Sequence, residues 1–327
     1  MNKFDMSWGN APAVREAFLS TLSYPLGLKQ KLPMELDYPP HEGMPELIEI
    51  TKKVVKRQTG LDYKHVLLTN GATGGVTISL RFFRTIQKKY VITRPGPYFP
   101  IYPAMIESAG LKHIIFEDNE SLDVANGVAL IDIPSNPHGN FFNKKLSIPV
   151  ICDSVYGNKV YCEKNIKFPD HQIMVGSYSK LLGLNGIRIG WIATNLFPVY
   201  AELKRLVTAE YCGIDVNSQV ALIDLLKSLD DNGWDFFETT ARYNLDSNRT
   251  EWSKLEKYFN SVVSPNGMFY YSSMDKKCKK LMEKAGIIWT LGSSTGTDDS
   301  FGRFNLGQDC KLVKEAVKTV IKLDRIK

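Results

Sequence analysis

Residues 177–191, SYSKLLGLNGIRIGW, bring together side chains that could bind a phosphorylated aldehyde. Ser177 and Ser179 precede Lys180, and Arg188 follows that lysine by eight residues. A lysine amine condenses with an aldehyde, whereas hydroxyls and a guanidinium hold a phosphate dianion. The glycines let the backbone pass close to a ligand. Considered alone, Lys180 also fits a surface lysine on a glycine-rich turn.

A second phosphate-binding element is indicated at residues 67–75, LLTNGATGG, where a strand ends in a glycine-flanked turn. The turn opens an amphipathic helix over residues 76–87. Backbone N–H groups at a helix start, with the helix dipole behind them, bind phosphate without a positive side chain. The segment matches neither GxxxxGK[ST] nor GxGxxG, which weakens the P-loop and Rossmann alternatives. An ordinary strand-to-helix turn has the same pattern.

Three more motifs lie between these two segments. RPGPYFPIYP over residues 94–103 has aromatic residues among prolines, IDIPSNPHGN over residues 131–140 contains an NPxG turn, and VICDSVYG over residues 150–157 places DxxY at a strand end. In order along the chain, the five elements resemble the cofactor site of class I and II aminotransferases in the aspartate aminotransferase superfamily. The match to the family's SxSKxxGxxGxRxGW element is nearly complete.

The resemblance implies pyridoxal 5'-phosphate (PLP) as cofactor and Lys180 as its Schiff-base lysine. It implies phosphate contacts from six further residues, which are Gly71, Ala72, Thr73, Ser177, Ser179 and Arg188. Tyr98 would stack on the pyridine ring, while Asn136 and Tyr156 would contact its phenolic oxygen. Asp153 would keep the pyridine nitrogen protonated, so that the ring accepts the electrons left when a bond to the substrate Cα breaks. The implied catalytic set is Lys180, Asp153 and Tyr98.

Two weaker resemblances concern the substrate and a second subunit. FGRFNLG over residues 301–307 resembles the segment whose arginine clamps the substrate α-carboxylate, which implies Arg303, with Asn136 beside it. LDYPPHEGMPEL over residues 36–47 resembles the segment whose tyrosine reaches the partner's phosphate, which implies Tyr38 and a homodimer with shared active sites. A surface arginine and an ordinary turn tyrosine are the alternatives.

The hydrophobic pattern predicts an α/β fold. Several short runs are apolar on consecutive positions, as in strands buried on both faces of a parallel sheet. These candidate strands are 65–69, 89–93, 111–116, 128–133, 149–153, 173–177 and 187–193. Helical patterns come next at 197–211, 218–229 and 234–259, and residues 262–274 indicate a loop and then a strand. With the resemblance, we expect fold type I, which is a mostly parallel central sheet with helices on both faces plus a smaller α+β domain.

We expect a large PLP-binding domain over residues 31–232 and a small domain formed by residues 1–30 and 233–327. Sixteen residues lie between Asn136 and Asp153, where many members of the family insert a helix, and the connection 116–128 is also brief. These features indicate a trimmed member of the family. A role in closing the site for the short N-terminal arm, with its Trp8, Gly9 and Asn10, is a hypothesis only.

Composition excludes several classes of protein. A chain with 43% hydrophobic and 23% charged residues is typical of a globular protein, and no stretch has signal-peptide or membrane-helix character. The five cysteines form no CxxC pair, so we expect reduced thiols, no metal and a cytoplasmic protein. The net charge is +6, and its one local cluster indicates a solvated helix face and no nucleic-acid partner. That cluster is Lys276, Lys277, Lys279 and Lys280.

The resemblance implies an aminotransferase that moves the amino group of an amino acid to a 2-oxo acid. A PLP-dependent lyase, decarboxylase or oxidase is the alternative, because motifs that hold PLP do not specify which Cα bond breaks. A non-enzymatic sensor, such as the aminotransferase-like half of a transcription regulator, is a third class. It is disfavoured because we expect no DNA-binding module before the domain.

Overall fold

The computed structural model describes residues 4–6, 11–21, 38–94, 96–115, 126–142, 145–162 and 166–325. Trp8, Gly9 and Asn10 lie outside these residues. The described helices are α1 (Pro12–Thr21), α2 (Pro45–Thr59), α3 (Gly71–Thr85), α4 (Tyr102–Ser108), α5 (Tyr178–Leu181), α6 (Phe197–Tyr211), α7 (Val216–Lys227), α8 (Asp231–Ser253), α9 (Lys276–Lys284) and α10 (Cys310–Arg325). The described strands are β1 (Phe4–Asp5), β2 (His65–Asn70), β3 (Tyr90–Thr93), β4 (Lys112–Ile115), β5 (Gly127–Asp132), β6 (Val150–Asp153), β7 (Ile173–Ser177), β8 (Ile189–Thr194), β9 (Phe269–Ser273), β10 (Ile287–Ile288), β11 (Thr290–Leu291) and β12 (Phe301–Asn305).

The central sheet has seven strands in the order β2-β8-β7-β6-β5-β3-β4. β8 is antiparallel to both of its neighbours, and the other neighbouring pairs are parallel. The mostly parallel sheet expected from the sequence is therefore confirmed. The first six candidate strands agree with β2 to β7 to within one residue at each described end.

Helices cover both faces of this sheet, which is why its strands are apolar on consecutive positions. Every residue of β5, β7 and β8 is buried. Along β5, Ala129 and Ile131 pack in one apolar cluster, whereas Val128 and Leu130 pack in a second cluster on the other face. The first cluster takes residues from α1, α2, α7 and α8, and the second takes residues from α3, α4 and α6.

Several predicted elements begin elsewhere than the sequence pattern indicated. The helices expected over 218–229 and 234–259 are Val216–Lys227 and Asp231–Ser253. The helix expected over 76–87 already begins at Gly71, because the glycine-flanked turn itself forms the first turn of α3. The strand expected over 187–193 begins at Ile189, because Asn185–Ile187 form a 3₁₀ turn. Arg188 joins that turn to β8 with a left-handed backbone, at a φ of 54°.

A second, antiparallel sheet has the order β11-β12-β9 and packs with α9 and α10 around a third apolar cluster. Helix α8 connects the two units, since Leu245 packs in the core beside the central sheet and Trp252 packs in the third cluster. The proposed domain boundaries at residues 30 and 232 stay a prediction.

In α1, Phe18 packs edge-on against Phe237 of α8, with ring centroids 5.6 Å apart.

Several further features of the structure can be compared with the expectations from the sequence. In α9 the lysines 276, 277 and 280 are exposed and Lys279 is half-buried, while Cys278, Leu281 and Met282 are buried. All five cysteines are free thiols. Residues 137–142 and 145–149, between β5 and β6, contain no helix, as the short spacing predicts. Among the described helices, none has both the length and the apolar character needed to cross a bilayer.

Candidate active site

The carboxyl ends of β5, β6 and β7 open into a cavity of about 760 Å³. Ligands of open α/β sheets bind at this edge, because loops and helix starts converge there. The cavity lining includes ten of the residues that the sequence predicted for the site. They are Ala72, Thr73, Asn136, Asp153, Tyr156, Ser177, Ser179, Lys180, Arg188 and Arg303.

Lys180 lies in α5, directly after the central strand β7. Its Nζ donates a hydrogen bond of 3.1 Å to Oδ1 of Asn185, another residue of the lining. Burial lowers the pKa of Lys180 to about 8, and the positive charges of Arg188 and Arg303 contribute to this shift. About a tenth of this amine is therefore uncharged at pH 7, far more than in an ordinary lysine, and the uncharged form can act as a nucleophile.

Arg188 and the start of α3 form a positively charged corner of the cavity. The Arg188 Nη1 atom donates to Ser179 Oγ at 3.3 Å and to the Asn185 carbonyl at 3.0 Å. The Gly71 N–H donates to the Arg188 carbonyl at 2.9 Å. Gly71 has a φ of 65°, which favours glycine, and a Cβ atom there would force the Arg188 guanidinium to move. A helix start beside a guanidinium suits a dianion.

Ser177 shapes the turn that presents Lys180. It caps α5, because its Oγ accepts a hydrogen bond of 3.1 Å from the Ser179 N–H. The same hydroxyl donates to the Ile189 carbonyl at 3.2 Å, which ties the start of α5 to β8. These hydrogen bonds hold the turn that carries Lys180 at the ends of the neighbouring strands β7 and β8.

Asp153 is a half-buried carboxyl at the end of β6, and both of its oxygens accept a hydrogen bond. The Tyr102 hydroxyl donates to Oδ2 at 2.8 Å, and the Val155 N–H donates to Oδ1 at 3.1 Å. Burial raises the pKa of Asp153, although these two hydrogen bonds oppose the shift. The sequence interpretation did not single out Tyr102 within the segment 94–103, because its role depends on a contact across 51 residues.

Asp132 is a second carboxyl, buried in the lining, that the sequence interpretation missed. It pairs in register with Asp153 on the neighbouring strand, at the end of β5. Its Oδ2 accepts a hydrogen bond of 2.7 Å from the Asn136 N–H. Burial raises its pKa to about 6. The available signal was an aspartate that ends an apolar strand four residues before Asn136.

Arg303 brings a guanidinium into the cavity from the second sheet. Its Nη1 donates to Asn136 Oδ1 at 3.1 Å, and its Nη2 donates to Thr290 Oγ1 at 3.3 Å. Its Cζ lies 4.3 Å from the centroid of the Phe269 ring, a cation–π contact. Burial lowers the pKa of Arg303, but a guanidinium stays protonated in proteins. The group can hold a carboxylate by two parallel hydrogen bonds.

Tyr156 is buried in the lining, and Phe269 lies edge-on to it with ring centroids 5.8 Å apart. Tyr98, by contrast, does not line the cavity. Its N–H donates to the Thr295 carbonyl at 2.9 Å, and its ring packs against Gly296. This backbone contact turns Tyr98 toward the second unit, so the next residue, Phe99, faces the cavity instead.

Tyr38 lies outside the cavity, and 85% of its surface is exposed. A contact between Tyr38 and a partner's site requires a second chain, so this assignment stays a prediction. Gly71 is also outside the lining, although its N–H bonds to the carbonyl of Arg188, which lies within it.

Comparison with known proteins places these features in a family. A family model described as aminotransferase class I and II matches residues 2–320. An aspartate aminotransferase from Pyrococcus horikoshii is 24% identical over 317 residues, which cover 83% of this chain and 80% of that protein.

Solved structures share the fold. The aromatic aminotransferase from Pyrococcus horikoshii superposes with a TM-score of 0.77 at 18% identity, covering 100% of this chain and 96% of that chain. The aspartate aminotransferase from Thermotoga maritima superposes with a TM-score of 0.78 at 18% identity, covering 99% of this chain and 92% of that chain. At these identities the likeness shows the fold alone, which is fold type I.

Proposed function

This chain belongs to the class I and II aminotransferase family and is a transferase enzyme, and we propose that it moves the amino group of an amino acid to a 2-oxo acid with PLP held at Lys180. The observation that carries the proposal is one cavity that joins a nucleophilic amine, an anion corner, a carboxyl and a guanidinium. The related proteins are named aminotransferases, which favours amino transfer over a lyase, decarboxylase or oxidase reaction.

The lining fits PLP at each end of that molecule. Lys180 supplies the amine that the aldehyde needs, and its lowered pKa provides the uncharged form. The phosphate is assigned to the corner between Arg188 and the start of α3, with the N–H groups of residues 72 and 73 and the hydroxyls of Ser177 and Ser179. Gly71 is assigned to the shape of this corner, because its N–H already donates to the Arg188 carbonyl. When bound, PLP supplies an electron sink for the negative charge left at the substrate Cα.

Four side chains are assigned to the ring. Asp153 is assigned to the pyridine nitrogen. Burial destabilises its carboxylate and raises its pKa, and a hydrogen bond from a protonated ring nitrogen would stabilise that carboxylate. Tyr102 fixes the orientation of that carboxyl. Asn136 and Tyr156 are assigned to the phenolic oxygen. Phe99, and not Tyr98, is assigned to the stacking contact, because only Phe99 lines the cavity.

The substrate carboxylate is assigned to Arg303, with Asn136 beside it. Lys180 then has a second task, which is to carry the proton removed from the substrate Cα on its Nζ. A pKa of about 8 suits this task, because a base works best when its pKa lies near the working pH.

We further infer a cytoplasmic homodimer with shared active sites. The free thiols at all five cysteines suit a reducing compartment. The exposed ring of Tyr38 is available to a second subunit. In this arrangement Tyr38 of each chain completes the phosphate site of its partner.

The test uses the purified, PLP-loaded protein and a panel of L-amino acids. The cofactor spectrum and the products are monitored in the absence of a second substrate. Amino transfer predicts one 2-oxo acid released for each cofactor converted, and then recovery of the original spectrum when a 2-oxo acid is added. Release of carbon dioxide, or of ammonia and hydrogen peroxide while the cofactor returns to its starting spectrum without an added 2-oxo acid, would overturn amino transfer in favour of a decarboxylase or an oxidase.

A further inference from the structure

Asn185 makes hydrogen bonds to both of the cations that the proposed function assigns to the cofactor. The Lys180 Nζ donates to its Oδ1 at 3.1 Å, and the Arg188 Nη1 donates to its main-chain carbonyl at 3.0 Å. Asn185 also lines the cavity. It lies at an unspecified position of the SxSKxxGxxGxRxGW element, so the sequence resemblance assigns it no role. In the structure, this one residue joins the amine and the guanidinium.

A short turn between α5 and β8 brings Asn185 to this position. Gly183 follows α5 with a φ of 69°, which favours glycine and lets the chain reverse. The 3₁₀ turn Asn185–Ile187 comes next, and the left-handed backbone of Arg188 leads into β8. Lys180 and Asn185 therefore belong to one continuous segment. Their contact is made within a single chain and does not involve the second unit.

Lys180 is held both at its backbone and at the end of its side chain. The Tyr161 hydroxyl donates to the Lys180 carbonyl at 2.9 Å, while Asn185 accepts from the amine. A lysine side chain is long and flexible, so an amine without a contact at its end samples many positions. The contact with Asn185 reduces this freedom. A defined position matters for an amine that must approach a reacting atom closely.

A neutral acceptor suits this position better than a charged one. Burial lowers the pKa of Lys180 to about 8, and the charges of Arg188 and Arg303 contribute to the shift. A carboxylate at position 185 would stabilise the ammonium and raise this pKa again. An amide oxygen accepts the hydrogen bond without adding a charge. The other titratable groups of the described lining, or in contact with α5 or part of it, are Asp132, Asp153, Tyr102, Tyr156, Tyr161 and Tyr178.

Resting on the proposed function, we propose that Asn185 is a positioning residue, whose amide oxygen holds the amine of Lys180 in place while that amine carries the substrate proton. The neutral amine takes the proton from the substrate Cα and becomes an ammonium. It is neutral again when it has passed the same proton to the cofactor. Both forms of the amine have N–H groups that can donate to Asn185, so the contact persists through the transfer.

The first test measures the titration of Lys180 without turnover. The full-length, cofactor-free protein is labelled with acetic anhydride across about pH 6 to 10, and mass spectrometry follows the peptide that contains Lys180. We expect a midpoint near pH 8 in the wild type. Asn185→Asp should raise the midpoint by about one unit or more, the usual effect of a nearby opposite charge. Asn185→Leu keeps the bulk but removes the acceptor, so it should lower the midpoint.

Asn195 provides the matched control. It follows the far end of β8, whose six residues separate it from Arg188 by about 20 Å. Its side chain also makes two hydrogen bonds, accepting from the Lys64 N–H and donating to the Asp62 carbonyl. Asn195→Asp should leave the Lys180 midpoint nearly unchanged. An unmoved midpoint in Asn185→Asp, or an equal shift in Asn195→Asp, would overturn the contact on which the proposal depends.

The second test separates positioning from binding in the PLP-loaded enzyme. Asn185→Leu should lower kcat about tenfold or more, because a mispositioned amine transfers the proton less often. KM and the PLP dissociation constant should change much less, and Asn195→Leu should leave kcat nearly unchanged. A wild-type kcat in Asn185→Leu would overturn the positioning role. If the wild type itself transfers no amino group, the proposed function fails, and the positioning role for this proton transfer is overturned with it, whereas the titration still reports the contact.

Discussion

Arg303 of the second sheet donates a hydrogen bond of 3.1 Å to Oδ1 of Asn136, which lies just after β5 of the central sheet. The Asn136 N–H is held at 2.7 Å by Asp132, so the asparagine is fixed from two sides. Because Oδ1 faces Arg303, the Nδ2 amide is the group that can donate to a ligand oxygen. One contact therefore orients both the proposed carboxylate clamp and the proposed partner of the phenolic oxygen.

Replacing Arg303 by lysine should weaken the substrate more than the cofactor. A single ammonium cannot reproduce two parallel hydrogen bonds, and losing a charge-assisted bond costs about 1.5 to 3 kcal/mol. We expect kcat/KM to fall about 10- to 150-fold through KM, with the PLP dissociation constant nearly unchanged. Thr290→Val, which removes the Nη2 contact and keeps the guanidinium, is the control and should have a smaller effect. Unchanged kcat/KM in Arg303→Lys would assign the clamp to another residue.

Lys180→Ala should abolish covalent attachment of PLP while the fold persists. Borohydride reduction and peptide mapping of the loaded wild type should label Lys180, and an exposed lysine such as Lys276 should be dispensable when it is changed to alanine. Because the pKa of Lys180 is about 8, the rate of PLP capture by the cofactor-free protein should rise with pH and level off above that value. A label on a different lysine would refute the assignment.

Asp132→Asn should stabilise the cofactor-free protein at neutral and higher pH. The pKa of Asp132 is raised by burial from an ordinary 3.8 to about 6, so the folded state keeps a proton that the unfolded state has lost. Stability therefore falls as pH rises between these values, by about 3 kcal/mol in total. The asparagine carbonyl can still accept from the Asn136 N–H. Urea titrations should show equal stability below about pH 4 and the full difference above about pH 6.

Asp153→Asn is the comparison for Asp132→Asn, because the two carboxyls pair in register but differ in proposed role. Asp153→Asn should retain PLP and lose most of its turnover, since an amide cannot hold a proton on the pyridine nitrogen. Asp132→Asn should keep most of its turnover. The reverse order of activities would exchange the two roles.

Phe99→Ala should raise the PLP dissociation constant more than Tyr98→Ala. An aromatic contact of this kind contributes about 0.5 to 1.5 kcal/mol, which corresponds to about a 2- to 12-fold change. Tyr98 packs on Gly296 outside the cavity, so its removal should loosen the contact between the two units and leave ring binding largely intact. A larger loss of PLP affinity in Tyr98→Ala would return the stacking role to that residue.

Local motifs predicted ten of the residues that line the cavity, because residues close together in the chain stay close together at the end of a strand. Ser177, Lys180 and Arg188 belong to one strand-turn-strand unit, so the sequence brings them together without knowledge of the fold. The choice between Tyr98 and Phe99 depended on a backbone bond to Thr295, almost two hundred residues away. No local pattern reports such a contact.

The fold itself was predictable where burial leaves a pattern. Strands covered on both faces are apolar on consecutive positions, as in β5 and β7, where every residue is buried. The edge strand β4 has no buried residue and was located by its short β-branched run. The start of α3 was misplaced because a glycine with a φ of 65° can lead directly from a strand into a helix. Asp132 was missed for a different reason. Asp132 lies beside Asp153 because of the register of β5 against β6, and the sequence of β5 alone does not reveal that register.

The last prediction concerns assembly, and it starts from the exposure of Tyr38. If Tyr38 donates to the phosphate of a partner, Tyr38→Phe should raise the PLP dissociation constant, and dilution of the wild type should release cofactor. Tyr243→Phe is the control, because Tyr243 is also an exposed tyrosine, at 72% of its surface. A larger effect at Tyr243 would remove the reason to single out Tyr38.

A mixing experiment decides whether the sites are shared. Tyr38→Glu should inactivate its homodimer by placing a carboxylate beside the partner's phosphate, and Lys180→Ala should inactivate its own. In a mixed dimer one site inherits both defects, and the other has Lys180 from one chain and Tyr38 from its partner. Random exchange should therefore restore about a quarter of the wild-type activity, because half of the dimers are mixed and each has one intact site. No recovery after demonstrated subunit exchange, or a monomer that stays fully active at all concentrations, would leave Tyr38 as an ordinary turn residue.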